Sequence, residues 1–330
     1  MAIVDILEGS GRGLTRTKRE KSMKTAKIVL IAMALVVITG GCADDRSEPD
    51  DEYVDRLADA HQADTAEAAV HAMQPVMPVS GGPVTYTSAS AGTIFTGYEV
   101  APESADSARE AHASGDTVRT SGRLAEALPG IILIHEWWGL NDNMRKQAEQ
   151  LAGEGYRVLA VDLFGGAVAE GPEEARGLAQ QSMRNQEATM VNLVAAFNHL
   201  SQTRGAPRVG VMGYCFGGAV ALNAGLALSD ELDALVIYYG NVSTDSGELE
   251  ALDMPILGIF GAEDESIPVE TVRSFEEALA DAGKDAEVHV YDGAGHAFAN
   301  PEGANYEPEA AIEAWEVTTE FLASHLQNGR

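Results

Sequence analysis

Basic residues are scarce in this chain. Across 330 residues there are 22 Lys+Arg against 51 Asp+Glu, a net charge of −29. Such a surface repels phosphate, which argues against nucleic acid as a partner. Cysteine is scarcer still, with only Cys42 and Cys215. A disulfide framework cannot be built from two, although one bridge is arithmetically open. No apolar run reaches the roughly 20 residues that a membrane-spanning helix needs. No G-x-G-x-x-G or G-x-x-x-x-G-K-S/T follows a strand-like run, so no nucleotide cofactor is expected. What remains is a chain 45% hydrophobic and 22% charged, with ample material for a core and none of the bias of disordered or collagen-like sequences.

Residues 1–42 read as an address. Lys24 and Lys27 precede an unbroken apolar run, Ile28 to Ile38, and Gly40-Gly41 lead into Cys42. A positive start, a short apolar stretch and small residues make a secretory signal. The small-small-Cys ending resembles the lipobox of bacterial lipoproteins, in which the cysteine is lipidated. Met23 is a second candidate start. Lipid on Cys42 would leave Cys215 as the one thiol and anchor the exported protein to a membrane of the cell envelope. Residues 1–42 hold seven of the Lys+Arg and three of the Asp+Glu, leaving 15 against 48 in the remainder.

From Ala43 to about Gly82 the composition is that of an acidic tether, with one short helix expected around Asp51–His61. Val84–Ser90 and Ile94–Val100 form a β-hairpin pattern, and residues 103–126 read as an exposed loop insertion. Beyond Gly130, short apolar runs alternate with helical periodicity: Ile131–His135, Arg157–Val161, Val209–Gly213, Leu235–Tyr239, Ile256–Phe260 and Ala286–Tyr291 as strands. Asn143–Ala152, Pro172–Ser182, Glu187–Thr203, Gly217–Leu228, Val269–Ala282 and Pro308–Leu326 are the helices. Runs apolar on both faces belong to parallel strands covered by helices. The expected fold is α/β, one domain over 83–330 with a mostly parallel central sheet, helices on both faces and a preceding hairpin.

Gly213-Tyr214-Cys215-Phe216-Gly217 fits the nucleophile-elbow pattern G-x-S-x-G with cysteine in the nucleophile's place. A lone cysteine is more often a small buried hydrophobe, but here it stands between a strand and a helix start, with glycines that permit their close approach. The helix N-terminus should lower the thiol pKa, since thiolate is the attacking form. Asp264 lies in the loop after an apolar strand, suited to orienting an imidazole. Flanking Glu263 and Glu265 read as solvated surface. His296 follows the last strand in a glycine-rich loop. The order Cys215, Asp264, His296 is that of α/β-hydrolases. The other histidines read as tether (His61, His71), insertion (His112), polar helix positions (His199, His325) or strand (His289). His135-Glu136 begins a zinc-type H-E-x-x-H, but Gly139 occupies the second histidine position, so no metal is expected.

The sequence resembles the dienelactone hydrolases, a cysteine-using branch of the α/β-hydrolases. The resemblance rests on G-Y-C-F-G-G at 213–218, H-E-W-W-G-L-N at 135–141, D-L-F at 162–164, G-A-E-D-E-S-I-P at 261–268 and H-A-F at 296–298. It implies a Cys-His-Asp triad, with Glu136 in the position of a glutamate that contacts the resting thiol and helps ionise it. The backbone N–H groups of Phe216 and Trp137 would form the oxyanion hole, and Trp138 a pocket wall. The family holds its substrate carboxylate with arginines, one shortly after the histidine. Here Asn300 stands in that place, leaving Arg184 or Arg176 as a possible second arginine and a poor fit to anionic substrates.

The resulting expectation is an exported hydrolase of small carboxylic esters or lactones, acting through a thioester and needing no cofactor. Two rivals are a thiol redox protein, which leaves Asp264 and His296 unexplained, and a non-catalytic surface binding protein on a hydrolase scaffold, which leaves an intact triad unexplained. The excess of carboxylates suggests a high-salt habitat, where screening relieves self-repulsion. The unfolding midpoint should therefore rise from low to molar NaCl; a flat response would overturn that reading.

Overall fold

In the computed structural model, which describes residues 48–61, 74–88, 92–103 and 127–328, the apolar runs become the sheet. Gly130–Ile134 (β3), Arg157–Val161 (β4), Val209–Tyr214 (β5), Ala234–Tyr238 (β6) and Ile256–Gly261 (β7) are buried at every residue. Alternate residues of a strand face opposite sides, so burial throughout means that both faces of the sheet are covered. Val79–Thr87 (β1) and Ile94–Pro102 (β2) pair antiparallel along their full length. Ala286–Tyr291 (β8) forms the half-exposed far edge. The order is β1-β2-β4-β3-β5-β6-β7-β8, with β2 antiparallel to β4 and every later pair parallel. The mostly parallel sheet is the one expected from the alternating pattern, and its arrangement is the α/β-hydrolase fold implied by the resemblance.

Helices fill the connections: Asp142–Gly153 (α2), Pro172–Arg184 (α3), Gln186–Asn198 (α4), Phe216–Ala227 (α5), Ser246–Leu249 (α6), Val269–Asp281 (α7) and Pro308–Leu322 (α8). Asn141 caps α2, its side-chain oxygen accepting from the Met144 amide at 3.0 Å. The predicted helix 187–203 ends instead at Asn198, and residues 199–203 widen into a π-helical turn. Among the described residues no helix is long and apolar enough to cross a membrane.

The N-terminal part departs from the sequence expectation in two ways. β1 begins at Val79, ahead of the expected boundary at 83, because Gly81-Gly82-Pro83 continues the pairing instead of breaking it. Proline is tolerated there since β1 is an edge strand. The second departure concerns the acidic tether. Glu48–Ala60 (α1) does not trail free; Tyr53, Val54 and Leu57 are fully buried. The address segment 1–42 with Cys42, and residues 104–126 of the insertion, lie outside the described residues.

One buried charge cluster ties β2 to the helical layer. Glu99 Oε1 accepts from Arg157 Nη1 at 2.8 Å and from Arg204 at 2.8 Å, while Oε2 meets Arg204 Nε at 3.0 Å and His199 Nε2 at 2.6 Å. His199, read from sequence as a polar helix position, is thus a partner in this network. Burial would raise the Glu99 carboxyl, but His199, Arg204 and Arg157 together bring it from 4.5 down to about 2. A depressed carboxyl stabilises the fold above its unfolded pKa, and the contribution is lost as pH falls toward the folded value. Glu99→Gln should cost about 3 kcal/mol at neutral pH. In urea unfolding, the gap to the parent chain should close as pH drops from about 4.5 to about 2.

Candidate active site

β5 passes into α5 through one residue, Cys215, at φ 54° and ψ −120°. The crossing is so tight that only glycine fits beside it. A Cβ on Gly213 would lie 2.0 Å from the Gly217 carbonyl oxygen, and one on Gly217 would lie 2.5 Å from the carbonyl oxygens of Ile134 and His135. The strained turn lifts the thiol above the carboxyl edge of the parallel strands. Glu136 and Trp137 arrive there from the end of β3, Tyr239 from β6, Asp264 from β7 and His296 from β8. Ligand sites of open α/β sheets form at this edge.

The three residues named from sequence meet. His296 Nε2 is 3.2 Å from Cys215 Sγ, and His296 Nδ1 is 2.8 Å from Asp264 Oδ2. A carboxylate only accepts, so Nδ1–H donates to it and leaves Nε2 as the acceptor for the thiol proton. The other oxygen, Asp264 Oδ1, accepts from the amides of Ser266 at 2.8 Å and Ile267 at 2.9 Å, which fixes the carboxylate in place. The backbone N–H groups of Phe216 and Trp137 both donate toward Cys215 Sγ. That sulfur therefore lies where two amides converge.

Burial pushes the Cys215 thiol well above its ordinary range; the Glu136 and Asp264 carboxylates add to the effect, and the Phe216 and Trp137 amides only partly oppose it. The expected lowering by the helix N-terminus is thus corrected: in this enclosed state desolvation and neighbouring carboxylates outweigh two amide dipoles. The thiol is held protonated at rest.

Glu136 is buried, with Oε2 accepting from Asn300 Nδ2 at 2.7 Å and Oε1 from the Tyr239 hydroxyl at 3.5 Å. Asn300 Oδ1 in turn accepts from Asn143 Nδ2 at 3.0 Å and from the Glu302 amide at 2.9 Å. Asn300, which stands where the resemblance places an arginine, holds Glu136 through its amide. Arg184 is exposed in the last turn of α3, outside the buried cluster, and Arg176 pairs with Asp55 of α1. Trp138 sits edge-on to Trp137, their rings 5.1 Å apart. His135 is interior; burial lowers its pKa, so the ring is neutral, donating from Nδ1 to the Glu136 carbonyl at 2.6 Å and accepting the Leu163 amide at Nε2, 3.2 Å.

The short helix expected around Asp51–His61 is present as α1, but its packing against the site was not anticipated. Tyr53, Leu57 and His61 stand at i, i+4 and i+8, one helical stripe, and all three are fully buried. His61 stacks on Trp137 with ring centroids 4.9 Å apart, and its Nε2 lies 3.7 Å from Cys215 Sγ. Tyr53 is buried beside Cys215 and Asp264, and burial pushes its hydroxyl well above the ordinary range. Arg56 Nε donates to the Ser266 carbonyl at 3.2 Å, and Ser266 Oγ donates back to the Arg56 carbonyl at 3.1 Å. The stripe was the available signal, faint within an otherwise polar segment. With α1 seated, Cys215 and Trp137 have no exposed surface. A cleft of about 490 Å³ between β2, the loop after β4, α3 and α4 contains none of the triad. His61, Cys215 and His296 also form a grouping of metal-ligand type. No sequence spacing announced it, because 154 residues separate His61 from Cys215.

The profile of the Dienelactone hydrolase family matches residues 118–326. The chain belongs to the dienelactone hydrolase family. Protein usf of Aquifex pyrophilus is 31% identical over 205 residues, covering 60% of this chain and 89% of the relative. A Saccharolobus solfataricus protein provisionally named carboxymethylenebutenolidase is 30% identical over 229 residues, covering 58% and 88%. The crystal structure of a Klebsiella pneumoniae protein, provisionally a dienelactone hydrolase, superposes with a TM-score of 0.59 at 25% identity, covering 74% of this chain and 99% of that one. As a dienelactone hydrolase family member the protein is a hydrolase acting on ester bonds, and β3 to α8 is the part of the fold that the family profile matches. The match begins at residue 118, so α1 lies outside it.

Enclosure of the thiol predicts slow alkylation. Leu57→Ala removes about 2 kcal/mol of burial from α1, which corresponds to roughly 30-fold in the open population. Iodoacetamide should label Cys215 correspondingly faster in that variant, followed by intact mass under conditions where the domain stays folded.

Proposed function

We propose that the protein is an exported hydrolase of neutral carboxylic esters or lactones, acting through Cys215, His296 and Asp264 with a thioester intermediate. The observation that carries this reading is the hydrogen-bonded line Asp264–His296–Cys215 ending on a sulfur that faces the amides of Phe216 and Trp137. Substrate must first displace α1 from the thiol. The carbonyl oxygen then takes over the two amides, and the carbonyl carbon comes to lie over the sulfur.

His296 Nε2 accepts the thiol proton as the carbon–sulfur bond forms, and Asp264 stabilises the resulting imidazolium. Negative charge moves to the carbonyl oxygen, where the Phe216 and Trp137 amides are already aimed; losing one such donor typically costs about 2.7–4 kcal/mol. On collapse, the alkoxide or enolate leaves with the proton from His296. Water, deprotonated by the same nitrogen, attacks the thioester, releasing the acid and restoring the thiol. Glu136 disfavours a thiolate in the closed site and so holds the nucleophile protonated until substrate arrives. Neutral substrates are favoured because Asn300 stands where the family's arginine is expected, and its amide is committed to Glu136. An uncompensated carboxylate entering beside Glu136 and Asp264 would meet repulsion.

The address segment supports export with Cys42 as the lipid-bearing residue, leaving the catalytic domain on an acidic tether at the envelope. Cys42→Ser should release the protein from the membrane fraction. For the chemistry, Cys215→Ala should lower turnover of p-nitrophenyl esters and enol-lactones by at least about 10³-fold, with neutral substrates of the parent enzyme ahead of carboxylate-bearing ones. Unchanged turnover in Cys215→Ala would overturn the assignment.

A further inference from the structure

We infer that His61, Cys215 and His296 form a binding site for a zinc-class divalent ion, in which α1 completes a three-ligand set. Their ligand atoms lie within 4.8 Å of one another, and all three residues are buried. In a tetrahedral site with metal–sulfur and metal–nitrogen bonds of about 2.3 and 2.05 Å, adjacent sulfur and nitrogen ligands stand about 3.5 Å apart. The separations here are 3.2 Å for His296 and 3.7 Å for His61, on either side of that value. One thiolate and two imidazoles are the donor set of a borderline-soft ion such as Zn²⁺, with a fourth position left for water.

The surroundings favour a cation. Asp264 holds the far nitrogen of His296 at 2.8 Å, the carboxylate–histidine pairing that orients metal-bound imidazoles. Trp137 stacks on the His61 ring and fixes its plane. Glu136 lies beside the sulfur as a second buried carboxylate. Glu136 and Asp264 thus place two carboxyl groups around the donor atoms, and outer carboxyl groups of this kind orient metal ligands. Binding displaces the thiol proton to solvent, and sulfur coordinates as thiolate.

The consequence rests on the catalytic reading above: with the nucleophile and its base both coordinated, ester turnover stops until the ion leaves or α1 lifts His61 away. The site thus makes hydrolysis reversibly sensitive to free zinc, and His61 is what distinguishes it from a two-ligand thiol–imidazole pair.

The test uses the full chain stripped of metal with a chelator and titrated with Co²⁺. One equivalent should give a near-ultraviolet thiolate-to-cobalt charge-transfer band and tetrahedral d–d bands, bleached by Zn²⁺. Cys215→Ser should remove the charge-transfer band. His61→Asn should weaken Zn²⁺ competition at least about tenfold, with an unchanged metal-free circular dichroism spectrum. His61→Cys, which substitutes one ligand for another, should keep the tight site. Absence of the band in the parent chain, or equal affinity in His61→Asn, would overturn the proposal. The spectra do not depend on ester turnover, so failure of the hydrolase mechanism in Cys215→Ala and failure of the metal site are read separately.

Discussion

Everything at the catalytic edge depends on how closely β5, β3 and α5 can approach one another. Gly213 and Gly217 present hydrogen atoms to carbonyl oxygens that any side chain would strike. That contact lets one residue connect strand to helix and forces it to positive φ. A cysteine at φ 54° is strained, and strain of this kind persists only where the surroundings over-determine it. Here they do: five strands buried along their length leave the elbow no direction in which to relax. The same geometry aims the first amide of α5 at the sulfur, and the turn after β3 supplies the second.

The closed site then sets a problem in charge. Two carboxylates, Glu136 and Asp264, bear on a thiol with no exposed surface, and no arginine or lysine of the described residues joins them in the buried cluster. The thiol answers by keeping its proton. Burial under α1 is what dominates that shift, so the protonation of the thiol depends on the enclosure itself. Asn300 belongs to the same economy of charge. A neutral amide at that position holds Glu136 without neutralising it.

Much of this was legible in sequence. Continuous apolar runs such as Ile131–Ile134 can only be strands covered on both faces, and the five-residue elbow fixes which strand end carries Cys215. Asp264 and His296 follow because they stand just past later strands of the same sheet. What could not be read is whatever depends on contact between distant segments. The sign of the thiol shift was missed because it reflects enclosure, which a helix N-terminus does not reveal. The bond from Asn300 to Glu136 spans 164 residues and could not be read from spacing. Arg176, weighed as a substrate ligand, instead holds α1 through Asp55.

α1 is the clearest case of that limit and the one with most consequence. Its composition is that of the tether around it, and only the stripe Tyr53, Leu57, His61 sets it apart. Those three residues bury on the one part of the sheet where two histidines and a cysteine can meet, beyond the portion matched by the family profile. Leu57 supplies apolar burial, Asp55 and Arg56 supply polar attachments at the rim, and His61 reaches the sulfur. Position 61 carries a fully buried imidazole at the end of that stripe. The residue found there has a lone pair suited to a cation and a ring stacked in place by Trp137. A segment that both covers Cys215 and brings His61 beside it makes access to the thiol depend on a helix outside the profile-matched region.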